Sequence, residues 1–130
     1  MNRPTGRAGP AAIRVLVVED DALFAEMLAE SLTAEGALVV GPVGRIAPAV
    51  ALARQEPLDG ALLDVTLAGD DAGPIAEALC QRGIPFIFMT GHHDKSALPP
   101  PFRAAPCLLK PFAIRDLQRE VVCRFHVSTA

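Results

Sequence analysis

Short apolar runs alternate with longer segments of helical periodicity along this chain, and this alternation constrains the fold more than any other feature. Five apolar runs follow one another from Ile13 onwards. The first, at residues 13–18, is nearly unbroken, as is typical of a strand that is covered on both faces. Strands that alternate with helices in this way form a parallel sheet between helical layers. The sequence therefore predicts an α/β fold with a five-stranded parallel sheet.

The predicted strands and helices end at turn residues and at the ends of the apolar patterns. Strands are predicted at residues 13–18, 37–41, 60–65, 85–90 and 107–110. Helices are predicted after the first strand, at 46–56, at 74–82 and at the end of the chain, and a loop is predicted at 69–73. The expected apolar stripe of the first helix is Leu23, Phe24, Met27, Leu28 and Leu32, and that of the last helix is Ile114, Leu117, Val121, Val122 and Phe125.

The sequence supports more specific predictions for the helix caps and for the proline-rich segment. Asp20 or Asp21 is expected to cap the first helix, and Asp70 with Asp71 is expected to cap the third. The run Pro99-Pro100-Pro101 lies between the fourth and fifth strands and lacks three successive backbone donors. We therefore expect the fourth helix of the fold to be short, irregular or mobile.

The length of the chain suits a single domain. Its 130 residues lie in the range of roughly 100–150 residues over which one sizeable core forms. We expect a disordered leader at 1–12, a domain at 13–126 and a tail at 127–130. The leader has no signal-peptide core, and no stretch reaches the roughly 20 apolar residues of a membrane span. A formal net charge of −3 disfavours binding to nucleic acid or to an anionic membrane.

Three cysteines, Cys80, Cys107 and Cys123, lie in apolar contexts without a CxxC spacing. Their odd number means that they cannot all pair within one chain. We expect a reduced, cytoplasmic protein in which Cys107 is a small buried residue and the other two cysteines face the core from their helices.

Polar side chains stand where the apolar strands end. Glu19 and Asp20 follow the first strand, Asp64 lies at the end of the third, Thr90 ends the fourth and Lys110 ends the fifth. In an open parallel sheet ligands bind at the carboxyl ends of the strands, so these side chains are expected to converge. Three carboxylates brought together repel one another unless a hard cation lies between them, and Mg²⁺ prefers such oxygen ligands. The pattern therefore predicts a magnesium site beside a nucleophilic aspartate.

Four stretches of the chain occur in the order in which bacterial response-regulator receivers, the CheY-like family, carry them. They are Val-Leu-Val-Val-Glu19-Asp20-Asp21, Leu-Leu-Asp64-Val, Met-Thr90-Gly91 and Leu-Leu-Lys110-Pro111-Phe112. The chain resembles this family over residues 13–125. The resemblance implies a doubly wound (βα)5 flavodoxin-like receiver fold and a stand-alone role in two-component phosphorelay signalling. It also implies a sensor histidine kinase or histidine phosphotransfer protein as phosphodonor, and a downstream protein target.

The resemblance assigns roles to individual residues. Asp64 looks like the phospho-acceptor, and Asp20, Asp64 and the backbone carbonyl of Thr66 look like direct Mg²⁺ ligands, with Glu19 acting through a metal-bound water. Thr90 and Lys110 look like the groups that bind the phosphoryl oxygens. The bond before Pro111 is commonly cis in this family, and at most slow autodephosphorylation is expected.

The chain departs from many receivers in its output region. Cys107 stands three positions before Lys110, where receivers often carry an aromatic residue whose rotation reports phosphorylation. The strand end Phe88-Met89-Thr90-Gly91 is similar to that of single-domain receivers with a Phe-Ala-Thr-Gly sequence. We therefore expect output through ordering of the segment that follows Thr90. His92 and Thr66 are candidates for controlling water access to the phosphoryl group.

Two other functions remain open from the sequence. A Mg²⁺-dependent phosphohydrolase of the haloacid-dehalogenase type also uses a strand-end aspartate, but it requires a second acid two residues later, where Thr66 stands. A pseudo-receiver would bind its partner without being phosphorylated, and the intact set of polar strand-end residues argues against it. Whether the protein signals by binding or serves as a phosphate sink is not decided.

Overall fold

The computed structural model describes residues 13–91 and 98–125, and its main feature is a five-stranded parallel sheet. The strands are β1 (Arg14–Val18), β2 (Leu38–Val43), β3 (Gly60–Asp64), β4 (Thr66–Leu67), β5 (Asp70–Asp71), β6 (Phe86–Thr90) and β7 (Cys107–Leu109). The helices are α1 (Ala22–Ala34), α2 (Ile46–Gln55), α3 (Gly73–Gln81) and α4 (Ile114–Arg124). The parallel sheet has the order β2-β1-β3-β6-β7, which confirms the predicted α/β fold.

Each face of the sheet is covered by a separate hydrophobic core. Successive residues of a strand point to opposite faces, so Leu16 of β1 belongs to one core and Val17 to the other. Helices α2 and α3 cover the first face through side chains such as Ala53 and Leu79. Helices α1 and α4 cover the second, for example through Leu28. The sheet is therefore doubly wound, as predicted.

Helix α1 begins as predicted, but its buried stripe is narrower than the sequence indicates. Asp21 is the N-cap, and its Oδ1 accepts hydrogen bonds from two backbone N–H groups of the first turn. Leu23 is 80% exposed and Met27 is 37% exposed, so placing these two residues in the buried stripe was wrong. The fully covered positions are Ala25, Leu28 and Leu32, whose spacing of three and four residues defines one helix face.

The last helix packs directly on the sheet through Phe125. Leu117, Val121 and Phe125 are buried as predicted, whereas Val122 is 39% exposed, so placing it in the buried stripe was wrong. A Cβ atom at Gly60 would lie 2.3 Å from Cγ of Phe125. The ring therefore occupies the space that any other side chain at this position would need.

The segment after β3 differs from the predicted loop. Residues 69–73 do not form a simple loop, because β4 and β5 pair as a short antiparallel hairpin. Its turn contains Ala68 at φ 49° and Gly69 at φ 92°, a left-handed conformation that glycine adopts readily and alanine does not. Asp71 Oδ1 accepts a hydrogen bond from the N–H of Gly73, but the N-cap of α3 is Ala72, which makes no side-chain capping bond. The prediction that Asp70 and Asp71 cap this helix was therefore wrong.

Other local expectations have mixed outcomes. Strand β2 runs on to Val43 through a cis Gly41-Pro42 bond, and the expected cis bond before Pro111 is present. Cys80 and Cys123 are exposed, so their predicted core-facing placement was wrong, and Cys107 is only partly buried. The two cysteines are exposed because their positions lie beside the buried faces of α3 and α4 rather than on them.

The proline-rich segment contains one turn of 3-10 helix at Pro100–Phe102, which agrees with the expected short, irregular element. Phe102 packs on Phe86 and Phe88 at ring-centroid distances of 5.8 Å and 6.3 Å. The predictions for the leader, for the tail and for His92 concern residues outside the described ranges. None of the described helices has the length and apolar character needed to cross a membrane.

Candidate functional site

Three carboxylates meet at the carboxyl ends of the two neighbouring strands β1 and β3. Val18 pairs in register with Leu63, so Glu19 and Asp64 follow adjacent points of the sheet. Glu19, Asp20 and Asp64 each place one carboxylate oxygen within 4.8 Å of the others. This confirms the predicted convergence of the acidic side chains.

Lys110 approaches the three acidic side chains from the end of β7, the edge strand of the sheet. Its backbone N–H donates to the carbonyl of Thr90 at 2.7 Å, which ties the end of β7 to the end of β6. Its Nζ lies 2.6 Å from Glu19 Oε1 and 3.6 Å from Asp64 Oδ2. Thr90 is 6% exposed at the same edge. All five strand-end residues predicted from the sequence therefore lie at the same edge of the sheet.

Glu19 is the most deeply buried of the three acids, with a side chain only 1% exposed. Its Oε1 accepts from the Lys110 ammonium, and its Oε2 accepts from the backbone N–H of Asp21 at 3.0 Å. A buried charge is tolerated only when it is paired and hydrogen bonded, and both oxygens of Glu19 are satisfied in this way. Glu19 thus anchors the ammonium from inside the site.

Asp20 is exposed, and the hairpin after β3 holds it. Its Oδ2 accepts a hydrogen bond of 2.9 Å from the backbone N–H of Ala68, and this bond is the main cause that lowers the pKa of Asp20. The sequence analysis did not identify Ala68 as part of the site. The Gly69 that follows was the available signal, because a glycine beside a short polar turn indicates left-handed backbone.

Asp64 has the most perturbed environment in the site. Burial, followed by the charge of Glu19 and a hydrogen bond with Glu19, raises the pKa of Asp64 to about 7. The Lys110 ammonium offsets part of this rise. Burial thus makes the ionisation of Asp64 costly, and the neighbouring carboxylate of Glu19 adds to that cost.

The donor set suits a hard divalent cation. Three clustered carboxylates offer only oxygen ligands, and the charge of Glu19 contributes, after burial, to the raised pKa of Asp64. Asp20 also lines an open surface cavity of about 980 Å³ beside Arg45 and Asp70. A cation therefore has both ligands and a route from solvent.

Two aromatic rings complete the surroundings of Lys110. The Lys110 Nζ lies over the ring of Phe24 at 4.6 Å from its centroid. Phe112 packs on Phe24 with a centroid distance of 5.6 Å and an interplanar angle of 75°. The sequence analysis treated Phe24 only as a core residue, because no sequence signal relates a ring in α1 to a lysine after β7.

The fold and the site define the class of protein. A sequence model described as the response regulator receiver domain matches residues 15–122. The chain belongs to this family and is a receiver domain of two-component signalling. Receiver domains accept phosphoryl groups and interact with histidine kinases or phosphotransfer proteins. Family membership decides against the haloacid-dehalogenase alternative.

Individual relatives agree with this assignment. The transcriptional regulatory protein PdtaR of Mycobacterium tuberculosis is 34% identical, over 100% of this chain and 67% of the relative. The solution structure of SdrG from Sphingomonas melonis Fr1 is 38% identical, with a TM-score of 0.74 over 85% of this chain and 94% of that one.

A third comparison supports the fold alone. The receiver domain of the sensor histidine kinase PA1611 from Pseudomonas aeruginosa PAO1 is 23% identical, with a TM-score of 0.77 over 89% of this chain and 99% of that one. That protein was crystallised with a magnesium ion coordinated in its active-site cleft.

Proposed function

We propose that this receiver accepts a phosphoryl group on Asp64 in a Mg²⁺-dependent reaction, with a sensor histidine kinase or a histidine phosphotransfer protein as donor. The observation that carries the proposal is the placement of Lys110 between two carboxylates, 3.6 Å from Asp64 Oδ2. A cation at this position is next to the oxygen atom on which a phosphoryl group would be carried. The structural neighbour with bound magnesium adds support for the metal.

The residues that would hold Mg²⁺ are Asp20, Asp64 and the backbone carbonyl of Thr66, with Glu19 acting through a water molecule. Both oxygens of Glu19 already accept hydrogen bonds, which supports an indirect role for this side chain. Asp20 uses only one oxygen towards Ala68. When bound, the cation neutralises the carboxylates and favours the deprotonated form of Asp64.

The transfer step needs a nucleophile and neutralisation of charge rather than an elaborate set of acids and bases. A carboxylate oxygen of Asp64 forms a bond to phosphorus while the phosphorus–nitrogen bond of the phosphohistidine breaks, and the imidazole leaves with the electron pair. Negative charge spreads over the three remaining phosphoryl oxygens. Lys110 supplies a positive charge to them, and the buried hydroxyl of Thr90 is placed at the same strand ends to donate a hydrogen bond.

The signal leaves this cytoplasmic receiver domain by protein contact. Cys107 pairs in register with Phe88 and is partly buried, so the aromatic switch of many receivers is absent at this position. Output instead uses the segment after Thr90, whose described end packs on β6 through Phe102. Phosphorylation should reduce amide exchange between residues 92 and 103, and unchanged exchange would count against this route.

The central claim is tested by intact-protein mass spectrometry with Mg²⁺ and acetyl phosphate. The wild type should gain the mass of one base-labile phosphoryl group, and Asp64→Asn should gain none. Asp70→Asn is the matched control, because Asp70 is an exposed acid that lines the cavity beside Asp20 but lies outside the acidic cluster. No gain on the wild type would favour a pseudo-receiver, and an equal gain on Asp64→Asn would place the phosphoryl group elsewhere.

A further inference from the structure

Among the described residues, the ammonium group of Lys110 has three close neighbours of different kinds. Glu19 accepts its one short hydrogen bond, at 2.6 Å, whereas the oxygen of Asp64 at 3.6 Å lies beyond ordinary hydrogen-bond distance. The third neighbour is the ring of Phe24, 4.6 Å from Nζ to the centroid. A cation over a ring face within about 6 Å of the centroid is attracted by the negative face of the π system. The ring is therefore an electrostatic partner of the lysine.

The Phe24 ring is held in place from two directions. The backbone N–H of Phe24 donates to the side chain of the N-cap residue Asp21, and this bond fixes the first turn of α1. On the other side it packs against Phe112, which follows Lys110 by two residues. Both rings rest on the core that also contains Leu108. The loop that carries the lysine thus also orients the ring that the lysine contacts.

We propose that Phe24, oriented by Phe112, is a positioning residue that holds the Lys110 ammonium where it can move from Glu19 to a phosphoryl group on Asp64. The inference rests on the proposed function of Asp64. Phe24 acts only through Lys110.

The physical reason lies in the different directionality of the two contacts. Lys110 must exchange its bond with Glu19 for one with a phosphoryl oxygen, and a hydrogen bond weakens steeply when its geometry changes. Attraction to a ring face is broad and survives a small displacement of the cation. The ring therefore restrains the flexible lysine side chain before, during and after the exchange. Without it, Glu19 would be the dominant partner and the ammonium would reach the phosphoryl group less often.

A purely apolar role for Phe24 is the competing explanation, and fluorination of the ring separates the two. Trifluorophenylalanine incorporated at position 24 of the full chain removes the negative face of the ring with little change in its shape. The initial rate of Asp64 phosphorylation by acetyl phosphate and Mg²⁺ should fall about three- to tenfold, with a smaller loss for monofluorophenylalanine. Thermal unfolding should stay unchanged.

The matched control is the same replacement at Phe86, which packs on Phe88 and Phe102 in the core of the opposite face. Its phosphorylation rate should equal that of the wild type. An unchanged rate after fluorination of Phe24, or an equal loss at both positions, would overturn the proposal.

A second measurement does not depend on phosphorylation. A ring over the ammonium shifts the ε-methylene protons of Lys110 upfield in NMR spectra, and Phe24→Leu should abolish this shift while Phe24→Tyr retains it. If the wild type accepts no phosphoryl group, the proposed function fails, and this readout alone decides whether the ring holds the lysine. An ordinary lysine shift in the wild type would refute the contact itself.

Discussion

The two edges of the parallel sheet differ in what they bury. At the carboxyl edge, Glu19, Asp64 and Lys110 place charged groups out of water, and the pKa of Asp64 rises to about 7 as a result. At the amino edge, the ring of Phe125 covers Gly60 and leaves no space for a Cβ. One sheet thus carries an electrostatically costly site at the carboxyl ends of its strands and dense apolar packing at their amino ends.

The largest effect is expected at the amino edge, from Gly60→Ala. The added methyl group would overlap the ring of Phe125, which is only 1% exposed and has no room to move away. We expect a loss of about 1–3 kcal/mol in the free energy of unfolding, measured by urea titration. Gly91→Ala is the control, because a Cβ there meets no atom within 4 Å among the described residues.

The double variant Gly60→Ala/Phe125→Leu tests whether the ring of Phe125 limits the space at position 60. The smaller side chain should leave room for the methyl group, so the double variant should lose less than the sum of the two single losses. Additive losses would show that the ring does not limit the space at this position.

The next effect is expected at the carboxyl edge, from Asp64→Asn in metal-free protein. The folded-state pKa of about 7 exceeds the ordinary value of 3.8, so the folded state retains a proton that the unfolded state has lost between these pH values. The stability of the wild type should therefore fall as pH rises from 4 to 7, and the variant should lack this decline. At pH 8 the variant should therefore be the more stable of the two proteins.

Chemical denaturation at a series of pH values, with and without Mg²⁺, tests this second prediction. Mg²⁺ should stabilise the wild type at pH 8 and should have a much smaller effect on Asp64→Asn. If the wild type showed no decline in stability above pH 4, the acidic cluster would not be destabilising.

The third prediction returns to the amino edge and concerns the reactivity of the cysteines. Cys80 and Cys123 line one surface cavity of about 540 Å³, together with Pro85 and Pro106 at the starts of neighbouring strands. Both thiols are exposed, whereas Cys107 is partly buried. In the native protein we expect iodoacetamide to modify the first two at least about tenfold faster than Cys107, since thiol access limits the reaction. Peptide mass spectrometry measures the rates, and equal rates would contradict the assigned exposures.

The smallest effect is expected from Ala68→Gly in the hairpin that holds Asp20. Alanine at φ 49° is strained, and glycine relieves that strain but loses more entropy on folding. The two effects nearly cancel, so the change in unfolding free energy should stay within about 0.5 kcal/mol. Ala68→Pro removes the N–H donated to Asp20 and, because proline cannot adopt φ 49°, also rearranges the hairpin, so it should weaken Mg²⁺ binding measured by titration calorimetry. An unchanged Mg²⁺ affinity would show that the hairpin does not contribute to metal binding.

Much of the site was predictable because parallel strands bring their carboxyl ends to one edge. Glu19, Asp20, Asp64, Thr90 and Lys110 were identified from their positions after apolar runs, and the structure brings them together. The exposure of Leu23 and of the two helix cysteines was not predictable in the same way. Apolar character does not determine orientation when a helix has more apolar residues than its buried face can hold.

Local patterns along the chain were enough to predict the doubly wound sheet and the acidic strand ends, because alternating periodicities and polar residues after apolar runs are visible without the fold. Three contacts of the site appear only in the folded chain: Glu19 Oε1 accepts from Lys110, Ala68 donates to Asp20 and Phe24 lies under the ammonium. These contacts join segments far apart in the chain. Their geometry depends on how helix α1, the hairpin and the loop after β7 pack around the sheet, and no local pattern encodes that packing.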